Sequence, residues 1–232
     1  MTNQKIIALV AARKGSKEVK NKNLIRLGKL NIVNIAILLG LKIKSIHKII
    51  LSSDSDKILN STKKNKKIFK IKRPSYLAKD KTPMLPVMQH TIYSFEKKFK
   101  KKISFLVILD PTSALRAKKD VLKAIKIIKK KKLDLLVSVN EAEYNPYFSI
   151  VEKQGRFFSL SKGKNLNIGS RQEAKKVYNI NTVVWIYSRH AIIKEKKRIP
   201  IRTGIINIPA ERTLEINTKR DLNKIKTIFK KI

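Results

Sequence analysis

Short runs rich in isoleucine, valine and leucine recur along the first part of the chain, at Ile6 to Ala12, His47 to Ser52, Ile68 to Lys72, Ile103 to Leu109 and Leu135 to Val139. Runs of this length and composition predict buried strands. Between them, apolar residues return at helical spacing over Val33 to Leu41, Asp56 to Lys63, Leu85 to Phe99 and Val121 to Ile128. Alternating β and α units predict an α/β fold: a mostly parallel sheet with helices on both faces. From Asn140 to Asn181 the rhythm breaks, and Phe148 to Glu152 with Arg156 to Leu160 predict a hairpin around Gly155. Val183 to Tyr187 and Ile205 to Ile208 resume the sheet, and a last amphipathic helix is predicted from about Thr218 to Phe229. No repeat and no linker divides the chain, so residues 1–232 read as one domain with an insertion lobe at about 140–181.

Ligands of such sheets bind beyond the carboxyl ends of the strands. The loop after the first strand reads Ala12-Arg13-Lys14-Gly15-Ser16-Lys17, with Lys20, Lys22 and Asn23 following. It is neither a P-loop nor a dinucleotide fingerprint. One glycine lets the backbone approach an anion, and Arg13, Lys17 and Lys22 supply charge for a triphosphate. The bland alternative is a basic surface loop, and lysine is plentiful: 55 Lys plus Arg against 16 Asp plus Glu leave a net charge of +39. That excess would ordinarily announce a nucleic-acid partner. Here the lysines are spread over the whole length, arginine is scarce and aromatic residues make up only 6%. A surface of forked guanidinium groups and stacking rings is therefore not expected, nor is a specific nucleic-acid partner.

The chain has no cysteine and only three scattered histidines, His47, His90 and His190. Disulfides, cysteine-ligated metals and thiol nucleophiles are excluded. The N-terminal apolar run is followed, not preceded, by Arg13, Lys14 and Lys17, the reverse of an export signal. Lysines interrupt every isoleucine-rich stretch, so no membrane span is expected and the cytoplasm is the expected location.

Five ordered blocks resemble the acylneuraminate cytidylyltransferase family. Arg13 to Lys17 with Lys22-Asn23 is similar to its A-R-x-G-S-K and K-N signature, and Ser52 to Asp56 with Ile58 to its S-T-D-x-x-x-I block. Arg73-Pro74 through Leu77-Ala78, Asp80, Thr82 and Pro83 resembles R-P-x-x-L-A-x-D-x-T, and Leu109 to Arg116 resembles L-Q-P-T-S-P-L-R. Glu215-Ile216-Asn217, followed by Thr218 and Asp221, stands where the family carries D-I-D.

The resemblance implies a three-layer α/β/α Rossmann-like nucleotidyltransferase fold whose lobe helps form a homodimer. It also implies a reaction, in which the anomeric hydroxyl of a nonulosonic, sialic-type acid attacks the α-phosphorus of CTP and pyrophosphate leaves. Arg13, Lys22 and Asp110 are the implied catalytic groups. CTP would be held by Arg13, Gly15, Ser16, Lys17, Lys22, Asn23, Arg73, Asp80 and Thr82, and the sugar by Asp110, Thr112, Arg171, Gln172 and Asn181. Mg²⁺ would lie at Glu215 and Asn217. There the amide keeps an oxygen but removes a charge, while Asp110 replaces the family's usual glutamine.

Bland roles stand beside these. Asp54 or Ser55 would cap a helix, Asp80 would make an Asx-turn, Trp185 would pack the core, and Asn217 or Thr218 would cap the last helix, with Thr218 to Asp221 resembling a capping box. A Kdo or pseudaminate cytidylyltransferase is the neighbouring activity. A catalytically impaired nucleotide-binding remnant and a basic nucleic-acid-binding protein are the readings from other classes.

Overall fold

The computed structural model describes residues 4–15, 18–162 and 168–230. Seven strands form one sheet, in the order β11-β7-β10-β6-β1-β4-β5. β1 (Ile6–Ala11), β4 (Ile46–Ser53), β5 (Ile68–Lys72) and β6 (Phe105–Ile108) run parallel. β7 (Leu135–Glu141) and β11 (Thr203–Asn207) are parallel to one another, and β10 (Tyr178–Ser188) lies antiparallel between β6 and β7. Two short hairpins stand apart: β2 (Arg26–Leu27) with β3 (Leu30–Asn31), and β8 (Val151–Gln154) with β9 (Phe157–Leu160).

The near-continuous apolar strands are covered on both faces, as parallel strands require. Successive side chains alternate. Ile6, Ala8 and Val10 therefore join one core with α1 (Ile32–Leu41), α2 (Asp56–Asn60) and α4 (Lys118–Lys130). Ile7 and Leu9 join the other with α3 (Met84–Phe99) and the π-helical turn Ala191–Glu195. A third cluster seats α5 (Lys219–Lys230), where Ile225 meets Leu27, Ile32, Ala114 and Ile216. α5 thus packs on two of the loops singled out from sequence. Among the described residues no helix is long and apolar enough to cross a membrane.

Several boundaries move from expectation. α2 stops at Asn60 rather than Lys63, because Ser61 turns back through its N–H and hydroxyl onto the Ile58 carbonyl. The hairpin's first arm begins at Val151, since the N–H groups of Phe148 and Ser149 close a turn on the Asn145 carbonyl. Gly155 turns the hairpin with φ at 59°, in the left-handed region. β10 starts at Tyr178, not Val183, because the last residues of the lobe still pair with β7, Tyr178 opposite Glu141.

Candidate active site

β1 and β4 end in register, Ala11 opposite Ser52, and the Ala12 N–H extends the ladder onto the Ser52 carbonyl at 3.0 Å. The loops that follow therefore leave the sheet at one level and are tied together. The Lys14 N–H donates to Asp54 Oδ1 at 2.8 Å, and Asn23 Nδ2 donates to the Arg13 carbonyl at 2.9 Å. Ser55 caps α2 by accepting the Ile58 N–H, so Asp54 is left to the loop. Asn21 sits at φ 54°, a left-handed turn that asparagine tolerates, and the Lys22 N–H closes onto the Val19 carbonyl. Between the loops lies a cavity of about 380 Å³ lined by Arg13, Lys14, Asn21, Asn23, Asp54 and Lys57. A neighbouring hollow adds Gly15, Lys20 and Asp80.

Arg13 forms an ion pair with Asp80 through Nη1. Arg73 is almost wholly buried, 5% exposed, and donates Nε to Ser52 Oγ at 3.1 Å and Nη2 to the Ser52 carbonyl at 2.7 Å. Burial pulls its pKa down and Arg13 adds to the pull, while Asp54 opposes it. Arg73 thus braces the end of β4 beneath the cleft. Thr82 donates its hydroxyl to the Tyr76 carbonyl at 3.1 Å and closes its own loop. Of the nucleotide candidates, Arg13, Gly15, Asn23 and Asp80 surround the cleft. Ser16 and Lys17 lie outside the described residues.

A second group of candidates meets at a bulge in β10, where Ile180 faces Val139 but Trp185 faces Val137. Ser138 Oγ donates to Asn181 Oδ1 at 2.5 Å and accepts the Val184 N–H at 2.9 Å. Thr182 N–H donates to Glu215 Oε1 at 3.0 Å, and the Thr182 and Ser113 hydroxyls are 2.7 Å apart. Arg116, 6% exposed, donates Nη2 to the Asp110 carbonyl at 2.8 Å and Nε to the Val183 carbonyl. Burial pushes its pKa down to about 10, against the opposing charges of Asp110, Asp120 and Glu215. Asp110 Oδ1 accepts the Thr112 N–H at 2.9 Å and hydroxyl at 2.7 Å, and the Thr112 carbonyl accepts the Ile216 N–H at 3.1 Å.

Asp110, Thr112, Asn181 and Glu215 are therefore stitched into one junction. Asn181 is 6% exposed, and its side chain is held by Ser138, the Val183 N–H and Asn140. These bonds pin the bulge. Trp185, expected in the core, is half-buried and donates Nε1 to the Asn181 carbonyl at 2.7 Å.

The capping question at the last helix has a clear answer. Thr218 N–H donates to Asp221 Oδ2 at 2.8 Å and Asp221 N–H to Thr218 Oγ1 at 3.2 Å, the reciprocal pair of a capping box. Thr218 is the cap, and Asn217 is not. Asn217 instead turns Nδ2 toward Glu215 Oε2 at 3.4 Å, and both residues line a hollow with Asn140 and Asn181.

Arg171 and Gln172 lie apart from both groups, exposed on the lobe. They line a cavity of about 660 Å³ with Glu141, Glu143, Asn145 and Lys176. The Ala142 N–H on the Val177 carbonyl, 3.1 Å, and Asn145 Nδ2 on the Lys175 carbonyl, 2.9 Å, hold the two legs of the lobe together around it.

A cytidylyltransferase family model matches residues 7–228, nearly the whole chain and every loop described above. The chain belongs to the cytidylyltransferase family. It is a nucleotidyltransferase, and one of its curated relatives is a CMP-sugar synthase by name. It is 30% identical over 224 residues to the CMP-N,N'-diacetyllegionaminic acid synthase of Campylobacter jejuni, covering 97% of this chain and 94% of the relative. Against the post-translational flagellin modification protein B of Campylobacter coli it is 28% identical over 226 residues, covering 97% and 95%. Among solved structures it is similar to a CMP:2-keto-3-deoxy-manno-octonic acid synthetase complexed with CTP, with a TM-score of 0.69 at 12% identity over 98% of this chain and 99% of the other. That likeness confirms the α/β nucleotidyltransferase fold.

This cytidylyltransferase offers a divalent cation one carboxylate and one amide at Glu215 and Asn217. The donor set is hard oxygen, which suits Mg²⁺, and with Asp221 taken up by the cap the pair carries a single negative charge. The residues fit the ion, with a weakened hold. Two contributors escaped the sequence reading. Ser138 is an ordinary strand residue whose importance depends on the bulge beside it, and Asp54 stands in the second block and as a candidate cap, with no site role attached to it. Arg116 was visible as the last residue of its block, but its burial was not.

Proposed function

We propose that the protein joins CMP from CTP to the anomeric hydroxyl of a nonulosonic acid of the legionaminic type, with release of pyrophosphate. The observation that carries this reading is the basic cleft at the carboxyl ends of β1 and β4, tied by Asn23 and Asp54 and opening beside Arg13. Such a reaction needs positioning and charge neutralisation more than a covalent intermediate. Arg13, Lys22 and the loop N–H groups neutralise the triphosphate, and Arg73 fixes the β4 end on which the cytidine rests.

Arg171 pairs both oxygens of the sugar carboxylate, with Gln172 and Thr112 as further polar contacts. The anomeric oxygen then forms its bond to the α-phosphorus as the α–β anhydride breaks, and Asp110 takes the hydroxyl proton. Glu215 and Asn217 would hold Mg²⁺, which supplies charge to the phosphate oxygens when bound. The chain acts as one domain in the cytoplasm, as a homodimer. The lobe's exposed Tyr144, Phe157 and Phe158 support that pairing, since burying large apolar rings is favourable.

The test is pyrophosphate release from CTP with a panel of sugar acids, with and without Mg²⁺. Turnover with nonulosonic acids above that with an eight-carbon keto acid is the expected result. Turnover with none of them would refute the assignment.

A further inference from the structure

Acidic residues are scarce in this chain, 16 against 55 basic ones, and nearly all of them are engaged. Asp56, Asp80, Glu96, Asp120 and Asp134 form ion pairs. Others accept hydrogen bonds, as Asp54, Asp110, Glu215 and Asp221 do. Among the described residues, Glu18, Glu141 and Glu143 have neither kind of partner, and of these Glu141 and Glu143 line one cavity with Arg171 and Lys176. In so basic a protein, two carboxylates without partners in one cavity are a departure from its own rule.

An ionised carboxylate accepts hydrogen bonds and donates none. Beside an anionic sugar acid it is repelled unless it meets a donor. A hydroxyl is donor and acceptor at once and rotates to suit either, whereas an amide N–H is a donor only, with its direction fixed. The same cavity is also lined by Ala142, Ala174 and Val177, small apolar side chains of a size to seat a methyl group. Acceptor-only oxygens next to methyl-sized apolar walls complement an acylamido group, N–H at one end and CH₃ at the other.

We propose that Glu141 and Glu143 determine specificity, accepting the amide N–H groups of an acylamido-substituted nonulosonic acid while Ala142, Ala174 and Val177 seat the acyl methyls. This rests on the reading of the Arg171 cavity as the sugar site. It adds the chemical feature by which the enzyme tells an amide-bearing acid from one that carries hydroxyls alone.

The experiment compares kcat/KM for a di-N-acetylated nonulosonic acid and for a nonulosonic acid bearing only hydroxyls, in the full-length wild type, in Glu141→Ala/Glu143→Ala and in Ala174→Leu. Both glutamates are exposed, so their truncation leaves the core intact. The wild type is expected to prefer the acylated acid. The double variant should lose that preference by tenfold or more, through the KM of the acylated acid. Ala174→Leu, which fills the methyl seat, should lose it in the same direction. An unchanged preference in both variants overturns the inference alone, as does an equal loss for the two acids. A shift from dimer to monomer in sedimentation of the double variant also overturns it, because the carboxylates then serve the subunit interface. A wild type that releases pyrophosphate with neither acid overturns the functional reading and the inference together.

Discussion

Arg13 is the residue proposed to carry the nucleotide half of the site, and its surroundings say how it will respond to change. Its ion pair with Asp80 is part-exposed, with side-chain exposures of 33% and 41%, and pairs of that kind contribute about 0–1 kcal/mol to stability. Arg13→Ala should therefore leave the melting temperature nearly unchanged while raising the KM for CTP about tenfold or more, measurable by steady-state kinetics on the folded variant. Asn217 makes the sharper test. Since Thr218 is the helix cap, Asn217→Asp restores a charge to the cation's surroundings without touching the cap. It should lower the Mg²⁺ concentration for half-maximal rate several-fold, and Glu215→Gln should nearly abolish turnover; an unmoved Mg²⁺ titration would remove Asn217 from the metal site. At this scale the sequence showed which residue types were present but not how each was engaged. Arg73 reads from sequence as a CTP contact and Asn181 as a sugar contact, but neither reading discloses that Ser52 holds the one and Ser138 the other. Both fates follow from tertiary neighbours that spacing cannot disclose.

At the scale of elements, α5 is capped at its start by the Thr218–Asp221 box, with Asp221 the acidic residue of its first turn. Thr218→Ala should cost about 1 kcal/mol by chemical denaturation. The N–H and hydroxyl of Thr218 and the Asn217 N–H hold the Asp221 carboxyl below its usual range. A carboxyl depressed in the folded state contributes stability above its unfolded value, near pH 4, and loses it as pH falls through the folded value. Asp221→Asn should accordingly flatten the acid limb of the stability curve there. The elements themselves were largely legible. Strands such as β1 and β4 declare themselves because burial on both faces demands an unbroken apolar run, and α4 because its apolar side repeats at helical spacing. The β2–β3 hairpin was not, with two residues in each strand giving no period to read. Nor was the direction of β10, whose antiparallel neighbours β6 and β7 come from distant parts of the chain.

Over the whole molecule the net charge of +39 opposes folding by self-repulsion. Raising ionic strength shortens the screening distance from about 30 Å at 0.01 M to about 8 Å at 0.15 M. The melting temperature should therefore climb with salt over that range. The CTP KM should rise at the same time, because the anionic substrate loses attraction to the cleft. A protein whose melting temperature fell with salt would show that the few ion pairs, not the repulsion, dominate.

Among the described residues, β10 alone joins the four strands β5-β4-β1-β6 to the pair β7-β11. During synthesis the ribosome delivers β7 well before the strand it must lie against, and the whole lobe has to emerge in between. Until residues 178–188 leave the exit tunnel, β7 has neither sheet neighbour, since β11 is made later still. A chain stalled within the lobe would hold a finished four-stranded half beside a bare hydrophobic strand, the kind of nascent species that chaperones retain. Losing β10 would not shorten the sheet by one strand but divide it in two.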